Sequence, residues 1–324
     1  MRAATKVGLG LSLGLGTLAA GLALFTRHTD RRVRAALPPT GRFVDVPGGR
    51  LHVRELGSGP PLLLVHGLGG HMGTYTFGVA ERLAADFRVV VVDRPGSGYS
   101  TRLATAAADL TTQAAALSSL ITQLELGCPL VVGHSLGGAI ALALALEHPN
   151  QVAGLALIAP LVNLPSAVPA AFRALTISPF WLRRLFAWTL AVPAAMANRT
   201  RVMNQIFGPE AVPKGYALQA GGLMGLRPSH FLATSADLQA LNAHLPGISA
   251  RYRELQLPVW VLVGTDDRVL GWQEHGQALV GLVPGATLRQ VPTSGHMLPI
   301  TQPDLTAAFI REVASHVLAA PAHA

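Results

Sequence analysis

Ser135 has the setting most suited to chemistry in this chain. It lies at the centre of Gly133-His134-Ser135-Leu136-Gly137, between a short apolar run (Leu130 to Val132) and a long apolar stretch with helical character that stops at Pro149. A strand that turns into a helix within a few residues needs a tight bend, and Gly133 and Gly137 leave room where a Cβ would crowd the backbone. G-x-S-x-G between strand and helix is the pattern of a nucleophile elbow, which raises a serine hydroxyl to the top of a sheet with the next backbone N–H beside it. Such a hydroxyl is a weak nucleophile at neutral pH. It needs a base, and the base needs a carboxylate to orient it. In a parallel sheet these partners collect at the carboxyl ends of strands. Apolar runs in the sequence are followed by His66 to Gly70, by Asp93 to Ser100, by Gly264 to Val269 with Asp266 and Asp267, and by Pro292 to Asp304 with His296. Downstream of the serine the order is therefore Ser, Asp, His.

The elements that must position these groups can be read from the same runs. Arg42 to Leu56 alternates around Pro47-Gly48-Gly49 and predicts a hairpin. Apolar strands then end at Val65, Val92, Val132, Ala159, Val263 and Val291, with helical patterns between them. That alternation predicts a mostly parallel sheet with helices on both faces. From about residue 161 to residue 253 no strand pattern occurs, only apolar helical pieces broken by prolines, and this is too long for a connector. It predicts a helical lid inserted over the sheet. No internal repeat is present.

Half of the 324 residues are apolar and 13% are charged, so the chain can bury a large core. The formal net charge is +8, carried almost wholly by arginine, since Lys6 and Lys214 are the only lysines. No basic run is interleaved with aromatics, which argues against nucleic acid as a partner. A single cysteine, Cys128, excludes an internal disulfide and is read as a small buried residue before its strand. Residues 7–25 are uncharged, and as a helix they would span about 28 Å, close to the roughly 30 Å apolar core of a bilayer. They predict an uncleaved transmembrane anchor, a cleaved secretion signal being the alternative, with Arg- and Pro-rich residues 27–41 as a linker. No metal-ligand cluster and no phosphate-binding loop is evident, so no cofactor is expected.

With the elbow, the His66-Gly67-Leu68 turn, Asp93 to Ser100, Asp267 and His296 in this order and spacing, residues 42–318 resemble the lid-bearing α/β-hydrolase superfamily of esterases, lipases and carbon–carbon bond hydrolases. The resemblance implies an eight-stranded sheet. It divides the chain into an anchor and linker (1–41), a first core segment (42–160), a lid (161–253) and a second core segment (254–324). It implies Ser135 as nucleophile, His296 as base and Asp267 as its orienting carboxylate, the G-x-x-D spacing from Gly264 selecting Asp267 over Asp266. It further implies an oxyanion hole from the N–H groups of Leu68 and Leu136, with His66 bracing that turn and His134 structural. Serine at the elbow, where dehalogenases and epoxide hydrolases carry aspartate, implies acyl transfer. The apolar lid then suggests a hydrophobic ester as the small-molecule substrate, with Phe180 and Trp181 as pocket walls. A carbon–carbon hydrolase of ring-fission products and a non-catalytic binding protein are the alternatives.

Overall fold

The computed structural model of the protein describes residues 2–165 and 167–318. In chain order the elements are α1 (Arg2–Ala36), β1 (Arg42–Val46), β2 (Gly49–Leu56), β3 (Pro61–Val65), α2 (Gly73–Thr76), α3 (Val79–Leu83), β4 (Arg88–Val92), β5 (Thr101–Arg102), α4 (Leu110–Gln123), β6 (Leu130–His134), α5 (Leu136–Glu147) and β7 (Gly154–Ile158). They continue with α6 (Phe180–Trp188), α7 (Ala191–Ala197), α8 (Arg199–Phe207), α9 (Pro228–Ser249), β8 (Val259–Gly264), α10 (Ala278–Val280), β9 (Thr287–Val291), α11 (Leu298–Thr301) and α12 (Pro303–Val317).

The strands form one sheet in the order β1-β2-β4-β3-β6-β7-β8-β9. β1 and β2 are antiparallel, as are β2 and β4; from β4 to β9 every pairing is parallel. The two-residue β5 adds to β2 as a ninth strand, one more than the eight expected. A dipeptide is too short to leave a periodic signal.

Side chains alternate along the strands between two cores. Leu63, Val65, Val90, Val92, Val131, Leu155 and Leu157 face one core, which α4 and α5 cover. Leu62, Leu64, Val89, Val91, Val132, Ala156 and Ile158 face the other, covered by α3 and α12. Burial on both faces explains why these strands read as unbroken apolar runs rather than alternating ones. The register sets Val65 opposite both Val92 and Gly133, and His134 opposite Ile158. The strands therefore end in line, and the residues just beyond them share one edge. Between β7 and β8, α6 to α9 form a helical insertion whose longest member, α9, sends Leu241, Leu245 and Ile248 into the first core.

The N-terminal expectation is corrected. The side chains of residues 7–13 lie outside those described. Among the described residues no helix is long and apolar enough to cross a membrane, and the membrane location read from residues 7–25 loses its support. α1 does not stop where the apolar stretch does. It continues through the charged residues 27–36, read from sequence as a linker, and its far end is docked on the insertion. Thr26, Thr29 and Val33, spaced three and four apart, form its buried stripe. Asp30 pairs with Arg34 on the same helix at 2.8 Å and with Arg227 at 3.2 Å. Hydrophobic length alone did not reveal this polar docking. Cys128 is likewise exposed rather than buried, its thiol donating to the Asn150 carbonyl at 3.0 Å.

The turn after β4 is fixed by Asp93. Its Oδ2 accepts from His52 Nδ1 at 2.8 Å and from the Tyr99 amide at 3.0 Å, and its Oδ1 accepts from the Met72 amide at 2.7 Å. Burial opposes ionisation here, but the bond from His52 and the surrounding histidines outweigh it and bring the carboxyl from 3.8 to about 2. A carboxyl lower in the folded than in the unfolded chain stabilises above about pH 4 and loses that contribution as pH falls toward about 2; the difference is worth about 2 kcal/mol. Asp93→Asn is expected to lower stability at neutral pH and to flatten the fall in stability over that acid range, measured by denaturant unfolding as a function of pH.

Candidate active site

Ser135 occupies the turn between β6 and α5 with φ 53 and ψ −120, left-handed backbone unusual for a residue with a Cβ. The surrounding strands impose this conformation. The Ser135 amide donates to the Ile158 carbonyl at 3.0 Å, and the Ser135 carbonyl accepts from Gly138 and Leu161, each at 2.9 Å. A Cβ on Gly137 would lie 2.2 Å from the Val65 carbonyl oxygen, and one on Gly133 would lie 2.7 Å from the Gly137 carbonyl oxygen. Only glycines let α5 start so close to β3.

His296 sits in the loop after β9, and its Nδ1 donates to Asp267 Oδ2 at 2.7 Å. The other Asp267 oxygen, Oδ1, accepts from the Val269 amide at 2.7 Å and the Leu270 amide at 3.0 Å. Burial alone would raise the Asp267 carboxyl, but His296 and the two amides hold it below the usual value. Asp266 is exposed and its Oδ1 accepts from the neighbouring Thr265 hydroxyl, so it has no part in this arrangement. With Nδ1 engaged, the other ring nitrogen of His296 is left for the cavity.

His134 points beneath the histidine loop. Its Nε2 donates to the His296 carbonyl at 3.0 Å, and the two rings lie 4.9 Å apart. Burial, with His296 beside it, lowers it to about 3, so it stays neutral and can keep this bond. Sequence reasoning missed a further support, Glu210 in the insertion. Its carboxylate accepts from the Gly295 amide at 2.8 Å and from the Thr301 hydroxyl at 3.2 Å. A sequence signal did exist: residues 161–253 contain only two acidic residues, Glu210 and Asp237.

The turn after β3 carries Leu68. His66 Nδ1 donates to the Gly67 carbonyl at 2.9 Å, and the Gly70 amide donates to the same oxygen at 3.2 Å. Leu136 is the first residue of α5, so its N–H has no acceptor within the helix. His71 and His230 tie this turn to the insertion. His230 Nε2 donates to the Gly69 carbonyl at 2.8 Å and His71 Nε2 to the Gly221 carbonyl at 3.0 Å.

Ser135, His296, Leu68 and Leu136 all line one cavity of about 610 Å³ between the strand ends and the insertion. Its apolar wall includes Phe172, Leu175, Val202, Ile206, Phe231 and Leu238. Phe180 and Trp181 are not among the lining residues. They stand on the outer side of α6 at 61% and 67% exposure, which corrects their expected place in the wall. An amphipathic nine-residue helix does not reveal from its own sequence which neighbour its apolar face meets. Among the described residues no group of three or more His, Cys, Asp or Glu side chains is placed to hold a metal ion.

A family model described as alpha/beta hydrolase fold matches residues 60–303. An uncharacterized protein of Mycobacterium tuberculosis is 37% identical over 277 residues, which cover 82% of this chain and 78% of that protein. The pimeloyl-[acyl-carrier protein] methyl ester esterase of Chromobacterium violaceum is 30% identical over 286 residues, covering 82% of this chain and 98% of that enzyme. Among solved structures, a membrane phospholipase A, described as a bacterial virulence factor, superposes with a TM-score of 0.71 at 24% identity over 98% of this chain and 99% of its own, a likeness of fold.

The close approach at the elbow has a direct test. Gly137→Ala would drive its Cβ into the Val65 carbonyl, and overpacking of this kind costs about 1–3 kcal/mol. The variant is expected to unfold several degrees below the wild type in thermal denaturation.

Proposed function

The chain belongs to the alpha/beta hydrolase family, and from its site we propose that it is a serine hydrolase that cleaves carboxylic esters with lipophilic acyl groups. The observation that carries this reading is the 2.7 Å bond from His296 to buried Asp267, with His296 and Ser135 facing the same cavity. In the proposed reaction Ser135 Oγ attacks the ester carbonyl while His296 Nε2 takes its proton. Asp267 holds the imidazole in the required tautomer and stabilises its charge as it forms. The N–H groups of Leu68 and Leu136 receive the tetrahedral oxyanion. The same proton then passes to the departing alcohol, leaving an acyl-Ser135. Water, deprotonated by His296, attacks that acyl group and regenerates the serine.

The apolar wall supports a hydrophobic acyl chain. The methyl ester esterase relative supports ester chemistry. Each buried CH₂ contributes about 0.8 kcal/mol, so four more enclosed methylenes raise the specificity constant by up to roughly 200-fold.

Two expected outcomes follow for purified protein and nitrophenyl esters of two to twelve carbons. Ser135→Ala and His296→Ala should each lower turnover by several orders of magnitude, with the double variant little worse, and Asp267→Asn should lower it by about 10⁴-fold. Activity of Ser135→Ala near that of the wild type, with folding confirmed by circular dichroism, would refute the reading. In the chain-length series, Phe231→Ala should lose specificity for the longer esters selectively. Trp181→Ala, altered on the outside of the insertion, should keep the wild-type profile.

A further inference from the structure

We infer that Arg94 is a positioning residue for the oxyanion turn, holding the Gly67–Leu68 peptide so that the Leu68 N–H is aimed into the site, with Asp237 of α9 fixing the guanidinium from behind. The inference rests on the serine-hydrolase reading above. Arg94 follows β4 and is 0% exposed. Its Nε donates to the His66 carbonyl at 2.9 Å and its Nη2 to the Gly67 carbonyl at 3.0 Å. Its Nη1 donates to Gln113 Oε1 at 2.7 Å and to Asp237 Oδ2 at 2.8 Å.

The C=O and N–H of a trans peptide point in opposite directions. Drawing the Gly67 oxygen toward Arg94 therefore turns the Leu68 N–H the other way, toward the cavity that Leu68 lines. Residue 94 also acts through its backbone. Its amide donates to His66 Nε2 at 3.0 Å, which leaves the imidazole proton on Nδ1, and Nδ1 donates to the same Gly67 oxygen at 2.9 Å. Burial and the Arg94 charge hold His66 well below its ordinary value, so it remains the neutral form this arrangement needs. The turn is pressed against the nucleophile, since a Cβ on Gly67 would lie 2.8 Å from Ser135 Cβ.

A guanidinium that served only to stabilise the fold would be an expensive choice here, because a buried ion pair often does no better than apolar packing. Asp237 does not depend on Arg94 for a partner, as its Oδ1 accepts from Arg102 Nη1 at 2.6 Å. What Arg94 alone adds is a rigid fork that reaches two successive carbonyls of the turn and a carboxylate of the insertion at once. Lysine, a single point donor, cannot reproduce that.

The test uses Arg94→Lys and Arg94→Met in the full chain, with Asp237→Asn in parallel. Asp237→Asn keeps the guanidinium and weakens its anchor. Three quantities are read: kcat and KM on nitrophenyl butyrate, the pH profile of kcat/KM, and the rate at which a fluorophosphonate labels Ser135. Removing one whole oxyanion donor costs about 10²–10³-fold in kcat. Because His66 and Gly70 still hold the Gly67 oxygen, both Arg94 variants are expected to lose about 10- to 100-fold in kcat. KM should stay within about threefold, the pH midpoint should not move, and labelling should slow in parallel, since the phosphonyl oxygen needs the same N–H. Asp237→Asn should show a several-fold loss of the same kind, and it decides the matter should the Arg94 variants not fold. Folded variants with wild-type kcat and labelling, a loss confined to KM, or a shifted pH midpoint would each overturn the inference. Wild-type protein that fails to label at Ser135 would overturn the serine-hydrolase reading and this inference with it; equal labelling of wild type and variants would overturn this inference alone.

Discussion

The first turn of α5 passes so close to the end of β3 that a Cβ on Gly137 would touch the Val65 carbonyl oxygen at 2.2 Å. That contact fixes where the helix begins, and with it the left-handed backbone of Ser135. It also sets Ser135 against the turn that follows β3, where Gly67 has no room for a side chain either. The parallel register then brings the ends of β3, β4 and β6 into line, so groups from loops far apart in sequence meet at one edge. The site is thus a consequence of how closely two elements approach, and the strain at a single serine is sustained by the strands on both sides.

The helical insertion is tied into this edge by its charges as well as by its apolar wall. Residues 161–253 contain two carboxylates, and both are engaged by partners from the sheet edge. Asp237 is buried between Arg94 and Arg102. Glu210 caps the amide of Gly295, immediately before His296. One carboxylate reaches toward the turn carrying Leu68 and the other toward the loop carrying His296. The insertion therefore contacts both loops proposed to work on the substrate, and its position is coupled to their geometry.

Much of this was legible in the sequence for a physical reason. Strands buried on both faces appear as short apolar runs whatever surrounds them, and their ends mark where a site can form. Asp267 and His296 stand at such ends, and the structure brings them within 2.7 Å. Features set by contacts between distant elements were not legible. The apolar residues 7–25 look like a membrane span when read alone, whereas the helix they begin runs on to Ala36 and is held by Asp30 against Arg227. Phe180 and Trp181 carry the aromatic bulk of a pocket wall, but the packing of α6 turns them outward, and Phe172 and Phe231 line the cavity instead. The role of Arg94, in the segment Asp93 to Ser100, was not legible either, because its partners His66, Gly67 and Asp237 are brought to it only by the fold.

The central claim, that Ser135 carries the acyl group during ester cleavage, is tested most directly by trapping that intermediate. Protein mixed with a nitrophenyl ester, quenched in acid within the first turnovers and digested for mass spectrometry, should show the acyl mass on the peptide containing Ser135. No such adduct should form in Ser135→Ala. Ester hydrolysis that proceeds with no acylated peptide under conditions where deacylation is slow, or with the acyl group on a different residue, would contradict the account.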